Sequence, residues 1–301
     1  MKFIDFSILP REQVNINDKL VNIYSDISSN IDYDTVTSFG KEWNKFSTFS
    51  EDEINEIASS HYFDIVSNEY LIDKQILDVG CGSGRWSKYV SKLAKTVDAI
   101  DPSDSIYSAA FLLKDNENVR ISKVSVDKLP FGDNSFDFVF SLGVLHHIPD
   151  TALALKQCVQ KLKVGGYFLV YIYYNLDNRL PFYKILFTLS NLIRKLIIKM
   201  PAGLKDFICD IISVFIYVPL ILTAKFLSKI GLTEFAHKMP LSFYINKTFN
   251  VVRNDSRDRF GTPLEQRFSK IEIEKMMVDA GLVSIIFSKK MVYWHAIGRK
   301  K

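Results

Sequence analysis

The sequence predicts an α/β fold, a three-layer sandwich in which helices cover both faces of a mostly parallel sheet. Short apolar strands alternate with amphipathic helices over residues 75–175. The same alternation returns after residue 268, where Ser269 and Glu272 have the spacing of a capping box. A long apolar stretch with few acids lies between the two parts, so we also expect a helical insertion after the fifth strand.

Hydrophobic periodicity places the individual elements. Residues 75–175 contain five expected strands: Ile76–Val79, Val97–Ile100, Val119–Val124, Phe136–Ser141 and Tyr167–Tyr174. The helices expected between them are Ser83–Lys95, Asp104–Lys114 and Asp150–Lys163. We expect Gly165 and Gly166 to end the last of these helices. The closing strands, expected to form a hairpin, are Leu282–Phe287 and Met291–Gly298.

These changes in texture divide the chain into three regions. Residues 1–74 are mixed and polar, and they predict a helical extension or cap with one helix near Asp52–Val66. Residues 75–175 and 268–301 form the predicted α/β core. Residues 176–267 predict a mainly helical, hydrophobic insertion with a substrate loop.

Composition restricts the class of protein. With 48% hydrophobic residues in a 301-residue chain, an ordered core is expected. A net charge of +4, from 38 basic and 34 acidic residues, gives no reason to expect a nucleic-acid partner. The three cysteines and five histidines lack the spacing of metal ligands, so no metal site is expected. The sparse cysteines and the N-terminus, which lacks a long apolar run, predict a cytoplasmic protein.

A glycine-rich loop follows the first core strand directly and precedes a helix. The loop is Gly80-Cys81-Gly82-Ser83-Gly84. Glycines at such a turn let the backbone reverse sharply and let a ligand approach main-chain N–H groups. This context predicts a Rossmann-like nucleotide site, although a glycine-rich turn alone does not identify the nucleotide.

The positions of nearby residues narrow the choice of nucleotide. A dinucleotide fingerprint would place its third glycine where this chain has Arg85. Asp78, inside the strand, suits a cationic ligand group better than a pyrophosphate. Asp101 ends the second strand and can accept hydrogen bonds from two ribose hydroxyls, or else cap the next helix, a role that Asp104 could fill instead. S-Adenosylmethionine carries an ammonium and a sulfonium and no phosphate, so these residues favour it over NAD.

Several motifs resemble those of the class I S-adenosylmethionine-dependent methyltransferases. They are residues 76–84, Asp101, the Leu-Pro-Phe and Ser-Phe-Asp segments within residues 129–137, and Leu145-His146-His147. The resemblance covers residues 75–175 and, more loosely, 268–298. It implies an enzyme with a seven-stranded sheet whose last strand is antiparallel. It also implies that S-adenosylmethionine is the cofactor.

The resemblance implies a set of cofactor-binding residues in this chain. They are Asp78, Gly80, Cys81, Gly82, Gly84, Asp101, Pro102, Ser125, Val126, Asp127 and Ser141. At the adenine the family usually has Gly-Asp, whose carboxylate binds the exocyclic amine. This chain has Val124-Ser125 there, so Ser125 takes the Asp position, Val126 offers its N–H, and Asp127 is the compensating carboxylate.

Two histidines follow the fourth strand at the sheet edge where α/β proteins bind ligands. An imidazole there can accept a proton near neutral pH, and we favour His147 over His146 as the catalytic base. The alternative is that Leu-His-His shapes the loop under the cofactor. Tyr173 and Tyr174 line the acceptor pocket, or else are core or lid residues.

Two further segments are candidates for closing the site. Phe39–Phe46 has the aromatic content of a clasp over the cofactor. Residues 251–268 are expected to be a charged loop, in which Arg257–Pro263 is either a substrate loop or a solvated linker.

The insertion raises the question of membrane contact. Residues 182–232 are apolar with flanking lysines and arginines, as in interfacial elements. The uncharged run Ile211–Ala224 is bounded by charges and interrupted by Pro219, so it falls short of a spanning helix. We expect peripheral membrane contact, with a helical lid or a dimer interface as alternatives.

The leading functional hypothesis is methyl transfer, through oxygen, to a small-molecule, lipid or lipid-linked glycan acceptor. The alternative from another class is a membrane-peripheral assembly protein that binds the cofactor without catalysis. A third, an NAD-dependent enzyme, conflicts with the spacing of the glycines.

Overall fold

The chain folds into two compact units. The structure, a computed structural model, describes residues 2–24, 28–45, 50–177, 181–289 and 294–301. Unit 1 comprises Met1–Asn178 and Leu264–Lys301, and unit 2 comprises Arg179–Pro263. The first is the α/β unit and the second is helical throughout its described residues.

Unit 1 is built on one sheet of nine described strands. In chain order they are β1 (Glu12–Ile16), β2 (Lys19–Ile23), β3 (Gln75–Val79), β4 (Thr96–Asp101), β5 (Val119–Lys123), β6 (Phe136–Leu142), β7 (Leu162–Tyr171), β8 (Leu282–Phe287) and β9 (His295–Lys300). Their order across the sheet is β1-β2-β5-β4-β3-β6-β7-β9-β8. The strands from β2 to β7 pair in parallel, whereas β9 runs antiparallel to both of its neighbours.

This topology confirms the predicted fold class, a Rossmann-like sheet that is mostly parallel with an antiparallel last strand. Seven of the strands correspond to the expected ones, and the sheet gains two more from the N-terminal region. The prediction of a purely helical extension is wrong there, because β1 and β2 form a hairpin about Asn17 and Asp18. Both turn residues have positive φ, 50° and 64°, a conformation that Asn and Asp tolerate. The hairpin extends the sheet through β2, which pairs with β5.

The helices of unit 1 cover the sheet. They are α1 (Tyr33–Lys45), α2 (Glu51–Ile57), α3 (Arg85–Ser91), α4 (Ser105–Leu112), α5 (Thr151–Lys161) and α11 (Lys270–Asp279). The predicted capping box of Ser269 and Glu272 is present at the start of α11. The sheet separates two clusters of buried apolar side chains, and Ile76 and Leu77, which alternate along β3, belong to different clusters. This is the expected three-layer arrangement.

Gly165 and Gly166 do not end the helix before them, so that prediction is wrong. Helix α5 ends at Lys161, and both glycines lie inside β7. A Cβ on Gly166 would lie 2.7 Å from the carbonyl oxygen of Asp137 on the neighbouring strand. The glycine is therefore needed for close approach of two strands.

Unit 2 contains helices α6 (Pro181–Ile197), α7 (Ala202–Ile212), α8 (Val218–Lys229), α9 (Thr233–Lys238) and α10 (Phe249–Gly261). The expected charged loop over 251–268 is wrong for its first half, which is helix α10. Arg257 of this helix is buried, and its guanidinium contacts Asp210 on α7 at 2.9 Å. The charge that suggested a loop instead joins two helices.

Pro219 does not interrupt the apolar run, which corrects a second expectation for this unit. It lies at the start of α8, directly after a π-helical turn over Ser213–Tyr217 that joins α7 to α8. By length and composition alone, the segment Gly203–Lys229 could cross a membrane, with a mean hydropathy of 2.2. About a third of that window, 33%, is buried inside the protein.

Candidate functional site

The glycine loop connects β3 to α3 at the carboxyl edge of the sheet. Gly80, Gly82 and Gly84 all have positive φ, at 80°, 53° and 84°. The N–H groups of Gly80 and Cys81 donate to the carbonyl oxygen of Ile100, at 2.8 and 2.9 Å, and so fold the loop onto the end of β4. A Cβ on Gly80 would lie 2.4 Å from Val144, so this position excludes any side chain.

Asp78 lies beneath the loop and is almost fully buried. Its Oδ2 accepts a hydrogen bond from the Ser87 hydroxyl on α3 at 2.6 Å. Burial raises the pKa of Asp78 to about 8 despite this hydrogen bond, and the Asp101 carboxylate adds to the rise. Among the residues that the structure describes, no lysine or arginine forms an ion pair with Asp78. A buried carboxyl group of this kind suits a cationic ligand, whose charge would favour the ionised form.

Asp101 ends β4 and ties the loop to the next turn. Its Oδ2 accepts from the N–H of Gly82 at 2.9 Å, and its Oδ1 accepts from the N–H and hydroxyl of Ser103 at 2.8 and 2.6 Å. Burial raises the pKa of Asp101, and the hydrogen bonds from Ser103 and Gly82 oppose that rise. A carboxylate can accept about four hydrogen bonds, so Oδ2 retains capacity for a ribose hydroxyl. The cap position of α4 belongs to Asp104, whose carboxylate pairs with Lys123.

Ser83 supplies a further sign of a ligand. Its hydroxyl is buried within the glycine loop and has no hydrogen-bond partner among the described residues. Buried polar groups are rarely left unpaired. The loop therefore presents an unsatisfied hydroxyl, a carboxyl group that lacks a cation, and a backbone cradle that tolerates no side chain. Together they fit the amino-acid and ribose portions of S-adenosylmethionine, which Asp78, Ser83 and Asp101 would hold.

A cavity of ≈ 300 Å³ lies beside two residues of the predicted cofactor set. One wall contains Pro102 and Ser125, and the other comes from α1 and the residues just before it. Helix α1 approaches closely there, since a Cβ on Gly40 would lie 3.1 Å from the backbone nitrogen of Asp104. The N-terminal region thus lines one wall of this cavity, and its role as a cap over the cofactor stays a prediction.

The residues at the expected adenine contact are held by the N-terminal segment. Asp127 accepts hydrogen bonds from the hydroxyls of Ser125 and Ser28, both at 2.6 Å, and from the N–H of Ser29 at 3.1 Å. Burial alone would raise the pKa of Asp127, but these hydrogen bonds lower it below its ordinary value. Val126 is buried beside them. Adenine contacts by these residues stay a prediction.

Two other residues of the predicted cofactor set, Ser141 and Cys81, have buried side chains. The Ser141 hydroxyl donates to the carbonyl oxygen of Val79 at 2.8 Å and has no exposed surface. The Cys81 thiol is buried, and burial raises its pKa well above the ordinary value. The structure therefore shows Ser141 joining β6 to β3, and a contact of Ser141 with the cofactor stays a prediction.

His147 lies in the turn after β6 with a fixed ring. Its Nδ1 is 2.7 Å from the carbonyl oxygen of Leu264. Because a carbonyl oxygen only accepts, Nδ1 carries the proton and Nε2 of the neutral ring carries the lone pair. This is the tautomer that a general base needs, and Nε2 is itself buried, so an acceptor reaches it only where neighbouring side chains move aside.

His146 has different surroundings. Both of its ring nitrogens are buried without a hydrogen-bond partner in the described structure, and its ring stacks on Tyr173 with centroids 3.8 Å apart. Burial lowers the pKa of His146 well below the ordinary value, and His147 and Arg267 contribute to this. His146 is thus a neutral, packed ring.

A row of aromatic rings connects the glycine-loop helix to His147. Trp86 on α3 contacts Tyr62 at 5.0 Å between centroids, and Tyr62 contacts Tyr171 at 5.4 Å. Tyr171 in turn lies 5.7 Å from Tyr173, which is 5.6 Å from His147. The predicted pocket residue Tyr173 belongs to this row.

The predicted clasp stays a prediction, whereas the structure contradicts most of the predicted substrate loop. Phe39 of the clasp meets the His147 ring edge-on at 4.8 Å, while Phe46 lies outside the described residues. The expected loop over Arg257–Pro263 is helical as far as Gly261, so that interpretation is wrong for most of its length.

Several residues of the site carry no recognisable signal in the sequence. Ser87 binds Asp78 from α3, Ser28 and Ser29 bind Asp127, and Leu264 orients His147. Ser28, Ser29 and Leu264 pair with residues about 100 or more positions away, whereas Ser87 lies nine positions from Asp78. Ser83 differs from these residues, because it lies within the glycine-loop motif that the sequence shows.

The comparisons with known proteins agree with this geometry. A family model described as a methyltransferase domain matches residues 77–170, which run from β3 into β7. Residues 77–170 thus form a methyltransferase domain of the class I, S-adenosylmethionine-dependent type, and S-adenosylmethionine is the cofactor of that domain.

The similar curated proteins include two named ubiquinone biosynthesis O-methyltransferase. The protein from Nitrosomonas europaea is 30% identical over 43% of this chain, a match that spans only 54% of that protein. The one from Pseudomonas fluorescens is 28% identical over 60% of this chain and 77% of that protein. A solved structure titled as an S-adenosylmethionine-dependent methyltransferase, possible histamine N-methyltransferase, from Thermotoga maritima is 15% identical with a TM-score of 0.49, covering 88% of this chain and 99% of that one.

Proposed function

We propose that this protein transfers the methyl group of S-adenosylmethionine to a hydroxyl oxygen of a small aromatic acceptor, with His147 as the general base. The observation that carries the proposal is the His147 ring, held by its Nδ1–H bond to the Leu264 carbonyl at the end of the aromatic row. Two relatives whose names include O-methyltransferase support an oxygen acceptor.

The aromatic row supports the choice of an aromatic acceptor. Tyr62, Tyr173 and Phe39 are each partly exposed, and their rings offer stacking or edge contacts to a planar molecule. The row runs from α3, just after the glycine loop, to His147. An acceptor on these rings would therefore lie between the cofactor-binding loop and the base.

The bound cofactor supplies an electrophilic methyl group on a sulfonium, which leaves as a neutral thioether. The protein has to position the acceptor and remove one proton from its hydroxyl. In this scheme the O–H proton moves to Nε2 of His147 as the oxygen–methyl bond forms and the sulfur–methyl bond breaks. The products are the methyl ether, S-adenosylhomocysteine and a proton that the imidazolium later releases.

The test is S-adenosylhomocysteine formation with a panel of simple phenols. We expect His147→Ala to lower kcat by about 10²–10⁴-fold, the usual contribution of a general base. His147→Gln should lose as much, because its amide can still donate to the Leu264 carbonyl but cannot accept the proton. The rates of both variants should recover at a pH where the phenol is already ionised. Affinity for S-adenosylmethionine, measured by calorimetry, should not change.

His237→Ala is the matched control, since His237 is exposed and lies in unit 2. It should retain full activity. If His147→Gln remained as active as the unaltered enzyme, His147 would have only a shaping role. If no phenol were methylated while S-adenosylmethionine bound, the proposed acceptor class would be wrong.

A further inference from the structure

Helix α6 exposes an apolar stripe along its length. Ile185, Leu189, Leu192 and Leu196 recur every three or four residues, and between 53% and 65% of each side chain is exposed. The opposite side of the helix is the one that packs, because Arg194 is buried there. An amphipathic helix of a soluble domain normally buries its apolar stripe. In α6 the stripe faces outward.

The continuous helix of α7 and α8 repeats this arrangement. Its exposed large apolar residues are Leu204, Phe207, Ile211, Val214, Phe215, Ile216, Leu222 and Phe226. Most of them recur at helical spacing, with three consecutive residues in the π-helical turn, and Phe215 is 73% exposed. Unit 2 accounts for 19 of the 31 large apolar side chains exposed in the described structure, although it is much the smaller unit. Exposed apolar area of this extent marks an interaction surface.

Basic side chains accompany the two stripes. Lys184, Lys195 and Lys199 are exposed on or just after α6, along one flank of its stripe, and Lys225 and Lys229 are exposed on α8. Unit 2 contains 13 basic and 5 acidic residues, a formal charge of +8. The rest of the chain contains 25 basic and 29 acidic residues. The positive charge of the protein is therefore concentrated in the unit with the exposed apolar stripes.

We infer that unit 2 docks on an anionic lipid bilayer, with the apolar stripes of α6 and α7–α8 in the interface and the lysines at the headgroups. Apolar stripes flanked by lysines are the pattern of helices that lie in a membrane surface. Anionic lipids attract each such basic residue. The inference is independent of the proposed acceptor and base.

Two other occupants fit the same residues less well. A second copy of the chain would bring the like-charged flanks of two stripes together. A membrane-spanning α7–α8 would carry Asp206 and Asp210 into the lipid. Asp210 is moreover paired with Arg253 and Arg257 of α10, which would have to enter with it. An in-plane orientation keeps this ionic cluster on the side away from the lipid tails.

The experiment is flotation of the full chain with vesicles of phosphatidylcholine alone or with about one-third phosphatidylglycerol. We expect binding only to the anionic vesicles, weakened by salt and reversed by alkaline carbonate. Lys184→Glu/Lys195→Glu/Lys199→Glu should lower the partition coefficient by about 100-fold or more. Leu189→Glu/Leu196→Glu should lower it by about 100-fold.

The matched control is Phe111→Glu/Ile271→Glu, which alters two apolar residues of unit 1 that are 61% and 77% exposed. It should bind like the unaltered chain, and all variants should keep their circular dichroism spectra. Failure of the full chain to bind anionic vesicles would overturn the inference, as would equal loss in the control. Carbonate-resistant binding would overturn it in favour of a spanning helix. A dimer in solution that Leu189→Glu/Leu196→Glu dissociates, without vesicle binding, would assign the surface to a second copy.

Discussion

The two units of this chain place their apolar residues in opposite ways. Unit 1 buries five phenylalanines completely: Phe131, Phe136, Phe138, Phe140 and Phe168. It also buries the carboxyl groups of Asp78 and Asp101 at the carboxyl edge of its sheet. Unit 2 has one cluster of seven buried apolar residues and exposes 19 large ones. Their formal charges are −4 and +8. Apolar residues thus serve two purposes in this chain: they form a packed core in unit 1 and an exposed surface in unit 2.

The largest expected effect tests the close packing of unit 1. Gly80→Ala would force a left-handed residue and place a Cβ 2.4 Å from Val144. The backbone strain costs about 1–2 kcal/mol and the overpacking about 1–3 kcal/mol more. We expect the free energy of unfolding of unit 1 to fall by about 3 kcal/mol, and S-adenosylmethionine binding to be lost in calorimetry.

Gly281→Ala separates the two causes. Gly281 has φ +93°, and a Cβ there would meet nothing within 4 Å. It should cost only the backbone strain, about 1–2 kcal/mol, and leave cofactor affinity unchanged. If the two alanine variants lost equal stability and both still bound the cofactor, contact with Val144 would not matter.

The next largest effect should appear only in unit 2. The Asp210 carboxylate pairs with Arg253 at 2.7 Å and with the buried Arg257 at 2.9 Å. Asp210→Asn would leave a buried guanidinium without its main counter-charge. Since Asp210 is 32% exposed, solvent screens part of the loss, and we expect unit 2 to lose about 2 kcal/mol.

Differential scanning calorimetry and limited proteolysis should locate that loss in residues 179–263, with cofactor affinity unchanged. Asp206→Asn is the control, because Asp206 is 51% exposed and its oxygen lies 3.9 Å from the Arg257 nitrogen. It should cost less than about 0.5 kcal/mol. A destabilised unit 1 in Asp210→Asn would mean that the two units do not unfold independently.

The sequence predicted the parts of the fold and site whose signals are local. The glycine loop, Asp78 and Asp101 lie within one strand–loop–helix–strand segment, and their arrangement depends on neighbours in the chain. The β1–β2 hairpin was missed because each strand has only five residues, and β2 pairs with β5, which lies about 100 positions away. Helix α10 was taken for a loop because it is rich in charged residues, and the sequence does not show that two of its arginines pair with Asp210 of another helix.

In the candidate site, too, the contacts between residues distant in the chain could not be predicted from the sequence. His147 was predicted from its position after β6, but the Leu264 carbonyl that fixes its tautomer comes from a distant segment. Likewise, Ser28 and Ser29 bind Asp127 from nearly 100 positions away. Periodicity and spacing report which residues face a site, whereas partners that only the tertiary fold brings together have no pattern in one sequence.

The pH dependence of the unfolding free energy should show whether the buried carboxyl group of Asp78 is protonated in the fold. The pKa of Asp78 is raised to about 8 in the fold from an ordinary value of 3.8. The folded state therefore holds this proton more tightly, so the stabilisation is present below the unfolded pKa and is lost as pH rises from about 4 to about 8. In ligand-free protein, Asp78→Asn should remove this contribution.

We expect the unfolding free energy of Asp78→Asn, relative to the unaltered protein, to increase by at least about 1 kcal/mol between pH 5 and pH 8. Denaturant titrations at several pH values would measure it. Comparing the two proteins cancels the opposite contributions of His146 and His295, whose pKa values are lowered by burial. A difference that stays constant with pH would show that Asp78 is ionised in the free protein.

The smallest expected effect concerns the apolar surface of unit 2. Leu196 is 65% exposed on α6, so Leu196→Gln removes an apolar side chain that water already contacts. The free energy of unfolding should change by less than about 0.5 kcal/mol, and solubility should increase. The matched change Leu155→Gln, at a fully buried leucine of α5, should instead cost several kcal/mol, on the order of 3. A loss of about 2 kcal/mol or more in Leu196→Gln would mean that this face is covered within the protein itself. If Leu196→Gln lost almost no stability, the apolar stripe of α6 would have no role in folding. Its exposed leucines would then be available to contact a partner outside the chain.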